Sequence, residues 1–410
     1  MAMQVKNDSV ASMIEWLAKY GKTEDEGVTR LLYSPAWTEA QNALKEKMDC
    51  IGLQAYFDCV GNLFGRLPGT TCNSKTILTG SHIDTVVKGG KYDGAYGIIA
   101  SLLAVERLVK LYGLPKKTIE VVSFCEEEGS RFPITFWGSR NINNMYSLND
   151  AANLIDSDGV SLIQAMCDAG FDSKNYTPPT RTDIETFIEI HIEQGIVLEK
   201  NQKTIGIVSH IVGQRRFNIK INGDSNHAGT TPMKYRKDAI TLAAEFIHFT
   251  TNLANEENSD LVATFGKILA KPNVPNVIAE EVQISLDIRH HDDAALDHFC
   301  ERIFSYLKDK AAYSDFKLSI KQWMDVKPIA MDADLNRCIE EITTIKNIPY
   351  QYIVSGAGHD SQVFGTKCPT ALLFVPSAGG ISHSPKEYTN TEDLETGIEV
   401  LTELLYKLAY

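Results

Sequence analysis

Short apolar runs that cannot be helices constrain this chain more than any other feature. Residues 76–79 (Thr-Ile-Leu-Thr) and 118–125 (Thr-Ile-Glu-Val-Val-Ser-Phe-Cys) are rich in β-branched side chains, residues 371–375 (Ala-Leu-Leu-Phe-Val) are wholly apolar, and none of the three shows a regular polar alternation. Strands of that texture are buried on both faces, as happens when helices cover a parallel sheet. A long apolar helix over about 95–112 separates the first two runs, and Ile188-Glu189-Ile190-His191 ends another strand. Strand and helix therefore alternate as in an α/β fold with a mainly parallel sheet. The chain opens on a helix in which Val10, Met13, Ile14, Leu17 and Tyr20 recur at helical spacing until Gly21 stops them. It closes on a helix over 393–408.

From about Gly213 the texture changes. Phe217-Asn218-Ile219-Lys220-Ile221 and residues 282–289 alternate apolar with polar, and a helix near 237–252 lies between them. One wet face and one buried face suit an antiparallel sheet. The buried-strand texture returns after Lys327. These shifts predict a discontinuous domain of residues 1–212 and 329–410 with an inserted α+β domain of residues 213–328, and 410 residues are enough for both.

Composition excludes several classes of function. With 43% hydrophobic and 23% charged residues the chain is of ordinary globular type. No run approaches the roughly 18 uninterrupted apolar residues of a membrane span. Residues 1–8 lack the basic-then-apolar pattern of a signal sequence, so a cytoplasmic location without membrane contact is expected. A formal charge of −13 disfavours nucleic acid as a partner. Eight cysteines without a CxxC pair point to reduced, mostly buried thiols rather than disulfides or a thiolate metal site.

The chemistry collects where strands end, as ligand sites do in open α/β sheets. His82 and Asp84 follow the first run, Asp93-Gly94 comes soon after, and Glu126-Glu127-Glu128-Gly129 follows the second. His191 closes a third strand, and His383 sits in Ser382-His383-Ser384-Pro385. Imidazole mixed with carboxylate suits zinc, manganese, cobalt or iron, and the missing thiolate leaves zinc and manganese as the main choices. Two metals ~3.5–4 Å apart need a bridging oxygen donor, for which Asp93 is our choice. Asp84, two residues from His82, is placed to accept the second ring N–H and fix the tautomer. Of the adjacent acids, one can bind metal while its neighbour takes a proton from water. Adjacent acids alone are usually a solvated charge run, and isolated histidines such as His210, His248 and His298 are given no role. The ordered set at strand ends outweighs that reading.

These residues also carry a resemblance. Segments 79–94, 126–132, 191–195, 223–233 and 355–360 resemble the binuclear amidohydrolases related to aminoacylases and dipeptidases, over nearly the whole chain. Residues 29–35, 128–133, 136–139 and 355–360 are similar to the ureido-hydrolysing branch, which holds allantoate amidohydrolases, N-carbamoyl-L-amino-acid hydrolases and β-ureidopropionases, and above all to its allantoate-hydrolysing members. The resemblance implies a metallopeptidase-like catalytic domain with an inserted dimerisation or lid domain. It implies two divalent ions in each subunit, manganese or zinc, with His82 and His191 on one, Glu128 and His383 on the other, and Asp93 between. Glu127 would be the general base. The peptidase branch usually has a carboxylate where this chain has His191, which argues against a peptidase.

His227 matches the family histidine that reaches into the partner subunit's site and steadies the oxyanion, so a homodimer is implied. Arg216, Asn276 and Arg289 match substrate contacts, Gln214 lies beside Arg216, and Gly358 and His359 belong to a Gly-rich wall near the metals. Without the resemblance His227 would be a turn residue; the alternative for each arginine is an exposed strand-end charge, over which function is preferred. Four metal charges against the two of Asp93 and Glu128 favour an anionic substrate. Arg289 can fork a carboxylate as a lysine cannot, and the Asn276 amide can donate and accept. The implied reaction is hydrolysis of allantoate to ureidoglycine, ammonia and carbon dioxide in purine nitrogen catabolism, by hydroxide held between the metals. The alternatives are an N-carbamoyl-L-amino-acid hydrolase or β-ureidopropionase with the same mechanism and, more distantly, a non-catalytic metal-binding homologue.

Overall fold

Chain contacts in the computed structural model divide the protein into two units. One holds the described residues up to Ser209 with Met331–Ile353 and Gly358–Tyr410; the other holds His210–Ala330 with Val354–Ala357. The structure describes residues 9–72, 75–171, 174, 176–256 and 261–410. The segment 1–8, read above for a signal pattern, lies outside the described residues.

In chain order the strands are β1 (Gln54–Phe57), β2 (Leu63–Leu67), β3 (Thr76–His82), β4 (Thr118–Phe124), β5 (Ile184–Ile192), β6 (Ile205–Ile211), β7 (Gly213–Asn222), β8 (Val262–Lys271), β9 (Glu281–His290), β10 (Lys317–Val326), β11 (Ile329–Ala330), β12 (Tyr350–Ser355) and β13 (Thr370–Val375). The larger sheet runs β1-β2-β4-β3-β5-β13-β6, and β12 also pairs with β6. Its centre is parallel: β3 lies between β4 and β5, and β5 pairs with β13. Its flanks, β1 with β2, β2 with β4 and β13 with β6, are antiparallel. β3, β4 and β13 are buried along their whole length, the burial that their continuous apolar runs demand. The helices Ala95–Tyr112 and Thr391–Ala409 supply Ile98, Ile99, Leu102, Ile398, Leu401 and Leu405 to the core, together with Ile77 and Ile190 of the sheet. Tyr96 ties the two helices by donating its hydroxyl to the Leu394 carbonyl at 2.8 Å.

β3 differs from expectation at its end. The apolar run read from the sequence ends at residue 79, before Gly80, yet the strand continues to His82. Gly80 has φ +149°, and a Cβ there would fall 1.9 Å from the Val122 carbonyl oxygen. The glycine permits close approach to β4 rather than ending β3.

The second unit has the antiparallel order β10-β7-β9-β8. Phe217, Ile219 and Ile221 of β7 and Val282, Ile284, Leu286 and Ile288 of β9 form a core with residues of the helices Ala239–Glu256 and Asp293–Tyr313. Alternate residues of both strands are less buried.

The cysteine expectation is corrected in one respect. None of the eight cysteines is in a disulfide, but Cys125 and Cys300 are buried while Cys50, Cys72 and Cys167 are exposed and the others intermediate. Several sit on wet faces, where a small thiol costs little. Among the described residues no helix is long and apolar enough to cross a membrane.

Candidate metal centre

Asp93 stands at the centre of the site in the first unit. Its Oδ1 lies 3.4 Å from His82 Nε2 and 3.2 Å from His191 Nε2. Its Oδ2 lies 3.4 Å from His383 Nε2, which is itself 3.4 Å from Glu128 Oε1. The candidates thus form two donor groups, His82–Asp93–His191 and Asp93–Glu128–His383, with Asp93 in both. Donors on a tetrahedral shell with zinc–ligand arms of ~2.0–2.1 Å stand ~3.3–3.4 Å apart. The observed separations fit that shell better than a set of optimal hydrogen bonds.

The backbone prepares these donors. His82 ends β3, where its Nδ1 lies 3.1 Å from the Asp84 carbonyl and 3.3 Å from the Asp84 carboxylate. His191 near the end of β5 places Nδ1 at 2.9 Å from the Ile192 carbonyl. With both Nδ1 atoms facing acceptors, each neutral ring carries its lone pair on Nε2, the nitrogen that faces Asp93; that of His191 accepts the Gly94 amide at 3.0 Å, a contact a cation would have to displace. Gly94 lets Asp93 lie against His82: φ is +62°, and a Cβ would meet His82 Cε1 at 2.5 Å. Gln194 and His383 hold φ of +57° and +53°, a conformation that costs a non-glycine residue on the order of 1 kcal/mol.

Asp84 has a second task. Its Oδ1 and Oδ2 accept the amides of Glu127 and Glu128 at 3.0 and 3.1 Å. The backbone of both acids is thereby fixed, and the Glu128 side chain reaches His383. Glu126 is turned inward and accepts the amide of Gly129. Burial pushes the Glu127 carboxyl well above the usual carboxylate range, against the pull of the His82 imidazole. Hydrogen bonds to Asp93 and then Glu128 raise His383 to about 10. Burial opposes the charge of Asp93, but His191, His383 and His82 hold it well below the usual range. Protons held so firmly between imidazoles and carboxylates mark a place where a divalent cation can substitute for them.

Three residues that sequence reasoning missed complete the surroundings of Asp93. Gln194 donates Nε2 to Asp93 Oδ2 at 2.8 Å, while its buried Oε1 has no partner. Ser382 Oγ lies 3.1 Å from both Asp93 Oδ2 and Glu387 Oε2. Glu387 Oε1 accepts the amides of Tyr92 and Asp93 at 2.9 and 3.1 Å. Gln194 had a signal, three residues beyond His191 in a strand-end loop. Glu387 had only its position after His383. His359 is buried with its ring 4.6 Å from that of His191, and Gly358 next to it is exposed.

The other candidates belong to the second unit and form two groups there. His227 is exposed, and its Nδ1 accepts the amides of Gly229 and Thr230 at 3.0 and 3.2 Å. In the neutral ring the proton is then on Nε2, which becomes a donor. Asn276 is adjacent, its carbonyl accepting the Ala228 amide at 3.0 Å. Gln214, Arg216 and Arg289 converge on the Asp287 carboxylate.

Residues 78–407 match the pattern of the peptidase family M20/M25/M40. The chain belongs to that family. Over 100% of its length, and 99% of the relative's, it is 48% identical to the allantoate amidohydrolase of Bacillus subtilis (strain 168). To an N-carbamoyl-L-amino-acid amidohydrolase of Pseudomonas sp. (strain NS671) it is 37% identical, with 96% of each chain covered. The crystal structure of an amidase of the hydantoinase/carbamoylase family from Burkholderia multivorans superposes with a TM-score of 0.93 at 30% identity, covering 99% of this chain and 98% of that one. Amidohydrolases of the M20 family depend on metal, and the His–Asp cluster is a candidate metal-binding group of this member. The sheet pair, mainly parallel and antiparallel, fits the family's catalytic and dimerisation domains.

Proposed function

We propose that this chain hydrolyses a ureido C–N bond of allantoate, giving ureidoglycine, ammonia and carbon dioxide, as a cytoplasmic homodimer carrying two divalent ions per subunit, manganese or zinc. The observation that carries the reading is the pair of donor groups sharing Asp93, in a chain 48% identical to an allantoate amidohydrolase. The lower identity to a carbamoylase favours a second ureido arm over an apolar side chain in the substrate.

Bound by His82, His191, Asp93, Glu128 and His383, the ions would supply a water of lowered pKa and a Lewis acid for the ureido oxygen. Glu127, its affinity for protons raised by burial, takes a proton as the water oxygen attacks the ureido carbon. The Nε2–H of His227, from the partner subunit, donates to the ureido oxygen as negative charge grows on it. The C–N bond then breaks, and Glu127 hands its proton to the departing nitrogen. Ureidoglycine leaves with that nitrogen, and the carbamate breaks down to ammonia and carbon dioxide. Arg216 and Arg289 hold the substrate carboxylate, with Asn276 and Gln214 placed for the ureido groups and Gly358 and His359 forming the wall near the metals. Asp84 keeps His82, Glu127 and Glu128 in position.

The test is ammonia release by protein loaded separately with manganese and zinc, on allantoate beside a panel of N-carbamoyl-L-amino acids. Allantoate is the expected preferred substrate. Preference for a carbamoyl amino acid would transfer the reading to that class, and silence on both would remove it.

A further inference from the structure

We propose that Asp287 is the positioning residue that sets the specificity of the carboxylate clamp, holding Arg216 and Arg289 side by side and cancelling one of their two charges. The inference rests on the reading of those arginines given above. Its basis is the register of β7 against β9, which places Arg216 opposite Asp287 and Gln214 opposite Arg289. These residues occupy the partly exposed positions of both strands, alternating with buried neighbours. They therefore share the face of the sheet that points away from its core.

The contacts on that face meet at one carboxylate. Asp287 Oδ2 accepts Gln214 Nε2 at 2.7 Å, Arg216 Nε at 2.8 Å and Arg289 Nη2 at 3.2 Å. Oδ1 accepts Arg289 Nε at 3.1 Å. Arg289 is also tied by Nη1 to the Gly356 carbonyl at 2.7 Å. Arg216 lies over Trp323, its Cζ 5.4 Å from the ring centroid, where β10 breaks register between Gln322 and Met324. Asp287 thus engages each guanidinium along its Nε edge. The Nη1–Nη2 end of Arg216 and the outward N–H groups of Arg289 are left to face a ligand, in the two-pronged geometry that suits a carboxylate.

The charge count gives the specificity. Two guanidiniums beside one carboxylate leave a single positive charge, which one substrate carboxylate neutralises. Burial works against the charge of Asp287, yet the hydrogen bonds from Arg289 and Arg216 keep it below the ordinary range, so it stays ionised at neutral pH. Without it, two like charges would repel across adjacent strands and lose the acceptor that aligns them, and that loss of two-pronged alignment outweighs the extra positive charge left facing the substrate.

The experiment compares allantoate with its neutral amide, diureidoacetamide, on the metal-loaded full chain. In Asp287→Ala the KM for allantoate should rise about tenfold or more while kcat changes by less than about threefold, the pattern of lost uniform binding. Because kcat/KM for the amide should barely move, the preference for the carboxylate should shrink by a similar factor. Asp287→Asn keeps the side chain's shape and should move the preference in the same direction, which guards against a misfolded Ala variant. An unchanged preference in either variant would overturn the inference, and so would an equal fall on both compounds, which marks a merely structural role. Arg289→Lys separates the two readings. A normal KM in Arg289→Lys would remove the clamp itself, whereas an impaired Arg289→Lys beside a normal Asp287→Ala would remove only the role of Asp287.

Discussion

Glu127 and Glu128 are neighbours in sequence, and a single carboxylate, Asp84, grips both of their amides. That grip lets adjacent acids do different work, because the backbone can no longer rotate to exchange their side chains. Glu128 faces His383, while burial leaves Glu127 with a strong affinity for protons. Replacing Glu127 with Gln keeps the shape and removes the proton acceptor. Turnover should fall by about 10²–10⁴-fold, the usual worth of a general base, with metal content measured by elemental analysis unchanged. Retained activity would exclude Glu127 as the base; lost metal would make it a ligand. Single positions also show what the sequence could reveal. His82, Asp93, Glu128, His191 and His383 stood out because each follows or ends an apolar strand or lies in a short polar loop. Gln194 had only its place three residues beyond His191 and Glu387 only its place after His383, and neither is a residue type that by itself marks a metal site there, so their contacts with Asp93 across 101 and 294 residues show only in the folded chain. Asp287 lay within reach, two residues before Arg289 on an alternating strand, but its pairing with Arg216 depends on a register that no local pattern encodes.

Strand ends are where sequence and chemistry meet in this fold. The continuous apolar character of β3, β4 and β13 made the parallel centre legible, and the alternation in β7 and β9 made the antiparallel sheet legible, because burial on two faces and on one leave different periodicities. The exact end of β3 was not legible. Glycine there satisfies a contact with β4 that becomes visible only once the strands are paired. A Cβ at Gly80 would lie 1.9 Å from the Val122 oxygen, so Gly80→Ala must push β3 off β4 just before Ser81 and His82. The expected cost is about 3 kcal/mol or more in unfolding free energy, at the upper end for overpacking, with weaker metal binding alongside. Gly52→Ala is the control. Its φ is +87°, but nothing lies within 4 Å of the added carbon, so only the conformational penalty of about 1 kcal/mol applies. Denaturant unfolding with a metal titration checks both, and equal losses at the two glycines would refute close approach as the cause.

The assignment of His227 to a partner's active site can be decided by mixing inactive proteins. β8 is an edge strand of the smaller sheet and exposes Val262, Ile268 and Leu269, an open, partly apolar edge of the kind that a second copy can cover. If the site is completed across a dimer, a Glu127→Gln subunit still lends its His227 and a His227→Ala subunit still offers its Glu127. Each variant homodimer is inactive, yet a mixed dimer regains one whole site. With random exchange half of the dimers are mixed, so activity should return to about a quarter of the wild-type value for the same total protein. If His227 served its own subunit, every site in the mixture would lack one of the two groups and activity would stay at the level of the parents. A light-scattering measurement of the same samples fixes the oligomeric state. A monomer that shows no recovery would move the oxyanion donor elsewhere, whereas a dimer that shows none would keep the assembly and confine His227 to its own chain.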